Sequence, residues 1–315
     1  MTASHRSKNI HVFILAFALV SALLLAACGQ IGMLAGASME AKSDHRASSV
    51  EGARSASVTL EATVSTITIN PRSDSQLIDA EVEYLGDLRF ESSGTSERTI
   101  VLVDDINDFS YNGRPLNWTV SLNERIPLEL NVGTFSGDLN LDLSPFTLSG
   151  VDAEVSSGRI DMTLPAARES YPVRANASSG AIEISVEAGA QVVFDSLQTS
   201  SGGLTLDVGE RSTISGSASL SSGDTSVTIG EGSDVEFTFS SSSGDMVFDV
   251  PNDAAVRLEV RSHMSGTVNI PEWLERVGDE GDDNEGIWES DGYVDAERRI
   301  TLIVTSISSG NVEVR

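Results

Sequence analysis

An alternation of apolar and polar residues restarts after each glycine of a recurring Ser-Gly phrase. In the unit SSGRIDMTL the residues two, four and six places after Gly158 are apolar, namely Ile160, Met162 and Leu164, and those between are polar. A period of two is typical of a strand with one buried face. Glycine tolerates a positive φ and a close backbone approach, so each phrase predicts a sharp corner followed by a strand.

The corner repeats with a nearly constant period in the second half of the chain. Between Gly137 and Gly266 the steps are 21, 22, 22, 21, 21 and 22 residues, and a late copy stands at Gly310. A second strand-like stretch, such as Val173 to Ala177, lies in the other half of each unit. Two strands and two corners per unit predict a parallel β-solenoid of about eight short coils. The predicted turn glycines are Gly137, Gly158, Gly180, Gly202, Gly223, Gly244, Gly266 and Gly310.

Residues 58–132 are rich in strand-like segments but lack the glycine period. Turn signals such as Asn70-Pro71 divide them, and no long helical pattern intervenes. We therefore expect an all-β fold in which residues 58–132 form a β meander or a small sandwich. This region would cap the solenoid of residues 133–315, because an exposed first coil would offer an edge for unwanted strand pairing.

The N-terminus has the pattern of a secretory signal. An apolar run ends in the letters LAACG around Cys28, and it is too short for a convincing transmembrane helix. The small residues before Cys28 resemble a bacterial lipobox, which implies removal of residues 1–27 and attachment of lipid to Cys28. We expect residues 28–57, rich in Gly, Ala and Ser, to be a flexible tether. The protein is thus predicted to be extracytoplasmic and lipid-anchored to the cell membrane or the outer membrane.

The composition is strongly acidic. With 20 Lys and Arg against 47 Asp and Glu, the formal net charge is −27, and removal of residues 1–27 with their two basic residues leaves 18 − 47 = −29. Such a surface repels nucleic acid and anionic lipid headgroups, so nucleic acid is excluded as a partner. The membrane contact is expected from the lipid alone. Cys28 is the single cysteine, so no disulfide forms within a monomer.

The repeat is interrupted between Gly266 and Gly310, a gap of 44 residues. The insertion, at about 272–292, carries an acidic run and two tryptophans, and insertions in a solenoid form loops that often bind partners. Calcium is a candidate ligand because it prefers oxygen donors, but the spacing matches no EF-hand or nonapeptide repeat. A solvated acidic loop is the alternative. The tryptophans either anchor this lobe or stack on a sugar. The residues of this possible binding lobe are Trp273, Asp279, Glu280, Asp282, Asp283, Glu285 and Trp288.

Catalysis finds little support in the residue content. Beyond the predicted signal only His45 and His263 remain, so no metal cluster or Ser-His-Asp arrangement is legible. The repeated serines are explained by their corners, where a hydroxyl can bond nearby backbone groups. Carboxylates for glycoside hydrolysis would come from Asp104, Asp105 and Asp108, but only 5% of the chain is aromatic. We therefore predict no enzymatic activity and no cofactor beyond the calcium alternative.

The order of strands and Ser-Gly corners resembles a known bacterial family. The segment NWTVSLNERIPLELNV, followed by SGDLNLDLSPFTLSGVDAEVSSGRIDMTLP, is similar to the toast-rack or putative-adhesin domain. It is also similar to the extracytoplasmic domain of cell-wall-active antibiotic response proteins, and the resemblance covers roughly residues 58–315. It implies a parallel β-stack in the cell envelope, in a family mostly without a known ligand. One branch regulates envelope-stress signalling through N-terminal membrane helices, which a lipobox replaces here.

These patterns together predict a non-enzymatic, lipid-anchored cell-envelope protein. Its expected role is an adhesion or interaction scaffold whose partner is an envelope protein or a glycan. The first alternative is a regulatory or sensor subunit of an envelope-stress response. The second is a carbohydrate-active enzyme.

Overall fold

Two large β-sheets form the part of the chain that the computed structural model describes, residues 40–105, 113–278 and 284–315. A short 3-10 turn at Tyr293–Asp295 is the only helical element within these ranges. The strands are β1 (Lys42–Ser49), β2 (Ser55–Ala62), β3 (Ser65–Arg72), β4 (Gln76–Tyr84), β5 (Asp87–Ser93), β6 (Glu97–Asp105), β7 (Leu116–Asn123), β8 (Leu128–Ser136), β9 (Leu139–Asp142), β10 (Leu148–Ser157), β11 (Ile160–Leu164), β12 (Tyr171–Ser179), β13 (Ile182–Val186), β14 (Gln191–Ser201), β15 (Leu204–Val208), β16 (Thr213–Ser222), β17 (Thr225–Ile229), β18 (Asp234–Ser243), β19 (Met246–Asp249), β20 (Val256–Val260), β21 (Val268–Asn269), β22 (Leu274–Val277), β23 (Gly286–Ser290), β24 (Ile300–Ser309) and β25 (Val312–Val314).

The strands stack as coils that give one strand to each sheet. The first sheet has 12 strands in the order β1-β4-β7-β3-β9-β11-β13-β15-β17-β19-β25-β21, and the second has 13 in the order β22-β23-β20-β24-β18-β16-β14-β12-β10-β8-β2-β6-β5. Through the middle of both sheets all neighbours are parallel, as between β10 and β12 or β11 and β13. The predicted all-β fold with a parallel β-solenoid is therefore confirmed.

The hydrophobic core lies between the two sheets and is built by the predicted alternation. Ile160, Met162 and Leu164 of β11 are completely buried. The second sheet contributes aromatic side chains, and the ring centroids of Phe237 and Phe239 lie 4.8 Å apart. Burial of apolar area stabilises the stack by about 25 cal/mol per Å². The residues two, four and six places after Gly137, Gly180, Gly202, Gly223 and Gly244 are buried as well.

The corner glycines stack directly on one another. Gly158 and Gly180 have φ values of +142° and +145°, a region that other residues rarely adopt. A Cβ atom on Gly180 would lie 1.7 Å from the carbonyl oxygen of Gly158, so a larger residue would have to displace the neighbouring coil. All eight glycines named from the sequence have a positive φ and meet the backbone of an adjacent coil in this way.

The C-terminal segment occupies a place in the stack that chain order does not predict. β24 pairs with β18 on one side and β20 on the other, and β25 lies between β19 and β21. A Cβ atom on Gly310 would meet Gly244 O at 2.1 Å, and one on Gly266 would meet Gly310 O at 2.0 Å. The last coil is thus inserted between two coils that precede it. The interruption of the repeat is the connection that makes this insertion possible.

Side chains just after the corner glycines help to specify this order. Asp245 Oδ1 accepts a hydrogen bond from Asn311 N at 2.8 Å. Asn311 Oδ1 in turn accepts from Thr267 N at 3.0 Å and from Thr267 Oγ1 at 2.9 Å. The bonds from Asn311 N and Thr267 N each satisfy a backbone donor of a neighbouring coil, so these side chains favour one neighbour for each corner.

The first coil is inserted in the same manner at the other end. β2 lies between β6 and β8, and β3 lies between β7 and β9. The region predicted as a cap, residues 58–132, therefore continues the same two sheets; β4 and β5 lie within it and, together with β1, add antiparallel strands at this end. The predicted tether over 28–57 is wrong from residue 42 onward, because β1 and the start of β2 lie there. β1 escaped prediction because it is an edge strand of polar residues without an apolar alternation.

Candidate functional site

A row of serines crosses the outer face of the second sheet. The residue two places before a corner glycine points away from the core. In the parallel register Val155 pairs with Ala177 and Ser157 with Ser179, so the residues between them, Ser156 and Ser178, lie side by side. Phe135 continues the row at one end and Met264 at the other, and they are 40% and 78% exposed. We call the six serines between them the serine stripe: Ser156, Ser178, Ser200, Ser221, Ser242 and Ser308.

The hydroxyls of the serine stripe make no hydrogen bond to any residue that the structure describes. Backbone groups close the corners instead, as where Gly180 N donates to Ser201 O at 2.8 Å. The expectation that the serine hydroxyls bond the backbone of their corners therefore fails for the stripe. Because an exposed hydroxyl both donates and accepts, these groups are available to a ligand.

A shallow groove of about 320 Å³ opens on the same face. The serine stripe forms one side of the groove. The other side is formed by the side chains two residues earlier on the same strands, namely Glu154, Asn176, Gln198 and Ser219. Asn176 Oδ1 is shielded from solvent without a hydrogen-bond partner among the described residues. The lining residues are Glu154, Asn176, Ala177, Ser178, Gln198, Thr199, Ser200, Ser219 and Ser221.

The charges at this face are negative or already paired. The Glu154 side chain is exposed. Partial desolvation by its surroundings nevertheless raises the pKa of Glu154, and the negative charges of Asp152 and Glu61 raise it further. Desolvation also raises the pKa of Asp152. Arg174, which lies beside Asp152 in the register, donates to Asp195 at 2.9 Å. No Lys, Arg or His belongs to the described lining of the groove, so a polyanion would find no cation there.

The described part of the acidic lobe is a hairpin at the end of the second sheet. β23 pairs antiparallel with β20, and β22 pairs with β23, so the insertion is partly strand. Trp288 is 7% exposed and Trp273 is half-buried, and both pack against the core. Arg276 lies 5.5 Å from the Trp288 ring, and Glu285 Oε1 accepts from His263 N at 3.0 Å. These contacts attach the hairpin firmly to the stack.

Several residues predicted from the sequence lie outside the described ranges. They are Cys28, Asp108 and the acidic residues Asp279, Glu280, Asp282 and Asp283. Within residues 40–105, 113–278 and 284–315, no three His, Cys, Asp or Glu side chains are grouped as a metal site requires. The same ranges contain no helix long and apolar enough to cross a membrane.

Of the three carboxylates considered for glycoside hydrolysis, the two in the described ranges, Asp104 and Asp105, point to opposite sides of β6. Asp104 is 5% exposed, and its Oδ1 accepts from Thr63 N at 2.7 Å and Thr63 Oγ1 at 2.6 Å. Burial raises the pKa of Asp104 to about 6, against the opposing effect of the Thr63 hydrogen bonds. Asp105 is exposed on the other face. Side chains placed in this way do not flank one glycosidic bond.

The two histidines are held by neighbouring strands. His45, expected in a tether, lies on β1 with Nε2 at 2.6 Å from Asp79 Oδ1. His263 is buried beside the corner, with Nε2 at 3.0 Å from Gly310 O. Each histidine therefore contacts a neighbouring strand or corner of the stack.

The comparisons with known proteins point to the toast-rack family. Residues 36–187 match the family described as the N-terminal domain of toast_rack, DUF2154. This match supports, over residues 36–187, the resemblance noted in the sequence. No curated protein matches the chain.

Two solved structures resemble the chain. One, described as a putative cell adhesion protein from Clostridium sporogenes, is 14% identical, with 87% of this chain and 99% of that chain covered and a TM-score of 0.40. The other, described as a putative adhesin from Bacteroides fragilis, is 9% identical, with 89% and 100% covered and a TM-score of 0.44. At such low TM-scores neither likeness carries an argument about function.

Sequence reasoning placed the site in the lobe and overlooked the serine stripe. The signal was present, because a strand whose inner residues include Val155 must turn Ser156 outward. Six coils repeat this arrangement, so the serines form one continuous surface rather than separate turn residues.

Proposed function

We propose that this protein is a non-enzymatic adhesion scaffold of the cell envelope, lipid-anchored through Cys28, which binds its partner through the serine stripe and the groove. The similarity of residues 36–187 to the toast-rack N-terminal domain and the lipobox-like sequence around Cys28 support the envelope location. The observation that carries the binding role is the row of six outward hydroxyls without partners in the described residues.

The serine face suits binding better than catalysis. Apart from Ala177, the groove lining consists of hydroxyls, amides and one carboxylate. Glycoside hydrolysis, the reaction considered from the sequence, uses a pair of carboxyl groups. The face instead repeats weak hydrogen-bonding groups over several coils, and many modest contacts along one surface favour adhesion.

The test measures retention of isolated cell-envelope material by the full chain carried in lipid vesicles. The variant Ser178→Ala, Ser200→Ala, Ser221→Ala should retain several-fold less material than the unsubstituted protein. Its matched control, Ser185→Ala, Ser226→Ala, Thr228→Ala, removes three hydroxyls from the outer face of the first sheet and should behave as the unsubstituted protein. Equal retention by the two triple variants would show that the serine face is not the binding surface.

Two further variants separate the remaining parts of the proposal. Neutralising the acidic lobe with Asp279→Asn, Glu280→Gln, Asp282→Asn and Asp283→Asn should leave retention unchanged, and loss of retention would move the binding site to the lobe. Cys28→Ser should shift the protein from the membrane fraction to the soluble fraction, because the lipid is the expected anchor. A membrane-bound Cys28→Ser protein would contradict anchoring through that thiol.

A further inference from the structure

We propose that the groove and the serine stripe bind a linear, uncharged polysaccharide laid across the strands. This inference rests on the proposed adhesion function and names the ligand class of the same face. Its basis is the combination of a lining that is polar except for Ala177, the absence of a cation in that described lining, and a regular repeat of hydroxyls.

The lining selects a ligand rich in hydroxyls. Serine hydroxyls donate and accept, and the side-chain amides of Asn176 and Gln198 do both with separate atoms. A sugar polymer provides such donors and acceptors on every ring, whereas an acyl chain provides none.

The charge distribution separates neutral from anionic polymers. The groove contains Glu154 and no basic residue in its described lining, and neighbouring Arg174 is paired with Asp195. A polymer carrying phosphate or uronate groups would face repulsion from Glu154 without a compensating cation. An uncharged glycan avoids this repulsion, and its hydroxyl groups can still donate hydrogen bonds to the carboxylate.

The composition of the face also favours a glycan over a folded protein. Protein interfaces owe most of their affinity to buried aromatic and arginine anchors, and the groove lining contains neither. The large exposed apolar side chains of the stripe, Phe135 and Met264, stand at its two ends and outside the groove lining.

The repeat of the serine stripe requires a ligand that repeats as well. Successive coils are about 4.8 Å apart, so six serines span on the order of 24 Å. A ligand can engage all six hydroxyls only if its own polar groups recur at a comparable interval. A linear polysaccharide meets this condition because its hydroxyl groups recur with each sugar ring, and the length of one ring is comparable to the spacing between coils. Affinity should therefore grow with chain length until the stripe is covered.

The experiment divides the envelope into three fractions: extracted envelope proteins, neutral polysaccharide freed of protein, and anionic polysaccharide separated by ion exchange. The full chain in lipid vesicles should retain the neutral polysaccharide. The Ser178→Ala, Ser200→Ala, Ser221→Ala variant should retain it at least about tenfold less, since three hydrogen bonds are lost. The Ser185→Ala, Ser226→Ala, Thr228→Ala control should match the unsubstituted protein.

The outcomes distinguish the ligand class from the function. Retention of the protein fraction or of the anionic polysaccharide in place of the neutral one would overturn the inference while leaving an adhesion scaffold. Retention of the neutral polysaccharide that the serine substitutions do not reduce would overturn the assigned surface. If no fraction and no whole envelope material is retained, the proposed function fails and the inference fails with it. As a second readout, fragments of the neutral polysaccharide should bind more tightly as they lengthen.

Discussion

Replacement of Asp104 by asparagine should remove a defined part of the pH dependence of stability. The carboxyl group is 5% exposed, its Oδ1 accepts both Thr63 hydrogen bonds, and its Oδ2 is buried without a partner in the described part of the chain. Burial raises its pKa from 3.8 to about 6. At 1.36 kcal/mol per pKa unit, that difference corresponds to about 3 kcal/mol.

The direction of this pH dependence follows from the number of protons bound by the folded and the unfolded states. Between the two pKa values the folded protein keeps the Asp104 proton and the unfolded chain loses it, so the unfolded state binds fewer protons. The contribution of Asp104 to the free energy of unfolding therefore falls as the pH rises from about 4 to about 6, and it is constant above that range. Asparagine keeps the acceptor that receives both Thr63 hydrogen bonds but does not titrate.

Urea unfolding of both proteins, at several values between about pH 4 and about pH 7.5, measures the effect. The stability of Asp104→Asn relative to the unsubstituted protein should rise by about 3 kcal/mol across this range. The difference cancels the contributions of the other carboxylates, including Asp152 and Glu154. Asp105→Asn removes the exposed neighbouring carboxylate and should leave the pH dependence nearly unchanged. A constant difference between Asp104→Asn and the unsubstituted protein would refute the reasoning.

Three other substitutions or truncations test the stack itself by thermal or urea unfolding. Gly180→Ala should destabilise the protein by about 3 kcal/mol or more, because its Cβ would meet Gly158 O at 1.7 Å. Gly189→Ala, whose site also has a positive φ but no atom within 4 Å, should cost only about 1 kcal/mol, and equal costs would show that close stacking is unimportant. Asn311→Ala should cost about 1–2 kcal/mol through its lost hydrogen bonds, whereas the exposed Asn269→Ala should have almost no effect. Removal of β24 and β25 should abolish a single cooperative transition and promote aggregation, because it opens new strand edges inside both sheets; an unchanged transition would contradict their interior position.

The core and the corners could be predicted from the sequence because each depends on local spacing. The alternation after Gly158 determines which of Ile160, Asp161 and Met162 faces inward, and the burial of Ile160 and Met162 follows it. The glycines could be recognised because close stacking excludes every side chain at that point. The repeat spacing and the alternation of inward and outward side chains depend on residues close together in the sequence, so both can be predicted without knowledge of the fold.

The order of the coils could not be predicted in the same way. All coils present similar backbone edges, so a coil ending at Gly310 fits as well after Gly244 as Gly266 does. The side-chain bonds from Asp245 to Asn311 and from Asn311 to Thr267 help to decide the order, but they join residues separated by 66 and 44 positions. The available surface of the serine stripe was overlooked for a related reason, since the serines become one face only when coils are stacked.

If the protein is held at its N-terminus by the proposed lipid anchor, the insertion of β2 between β6 and β8 has a mechanical consequence. Tension applied at that end would act first on β1, which pairs with β4 alone among the described strands. If β1 detaches, the load passes to β2, which is bonded on both sides and can leave only by shearing two parallel ladders together. β1 would then act as a short extensible segment that yields under load, while the interlocked coils and the serine face they carry remain intact.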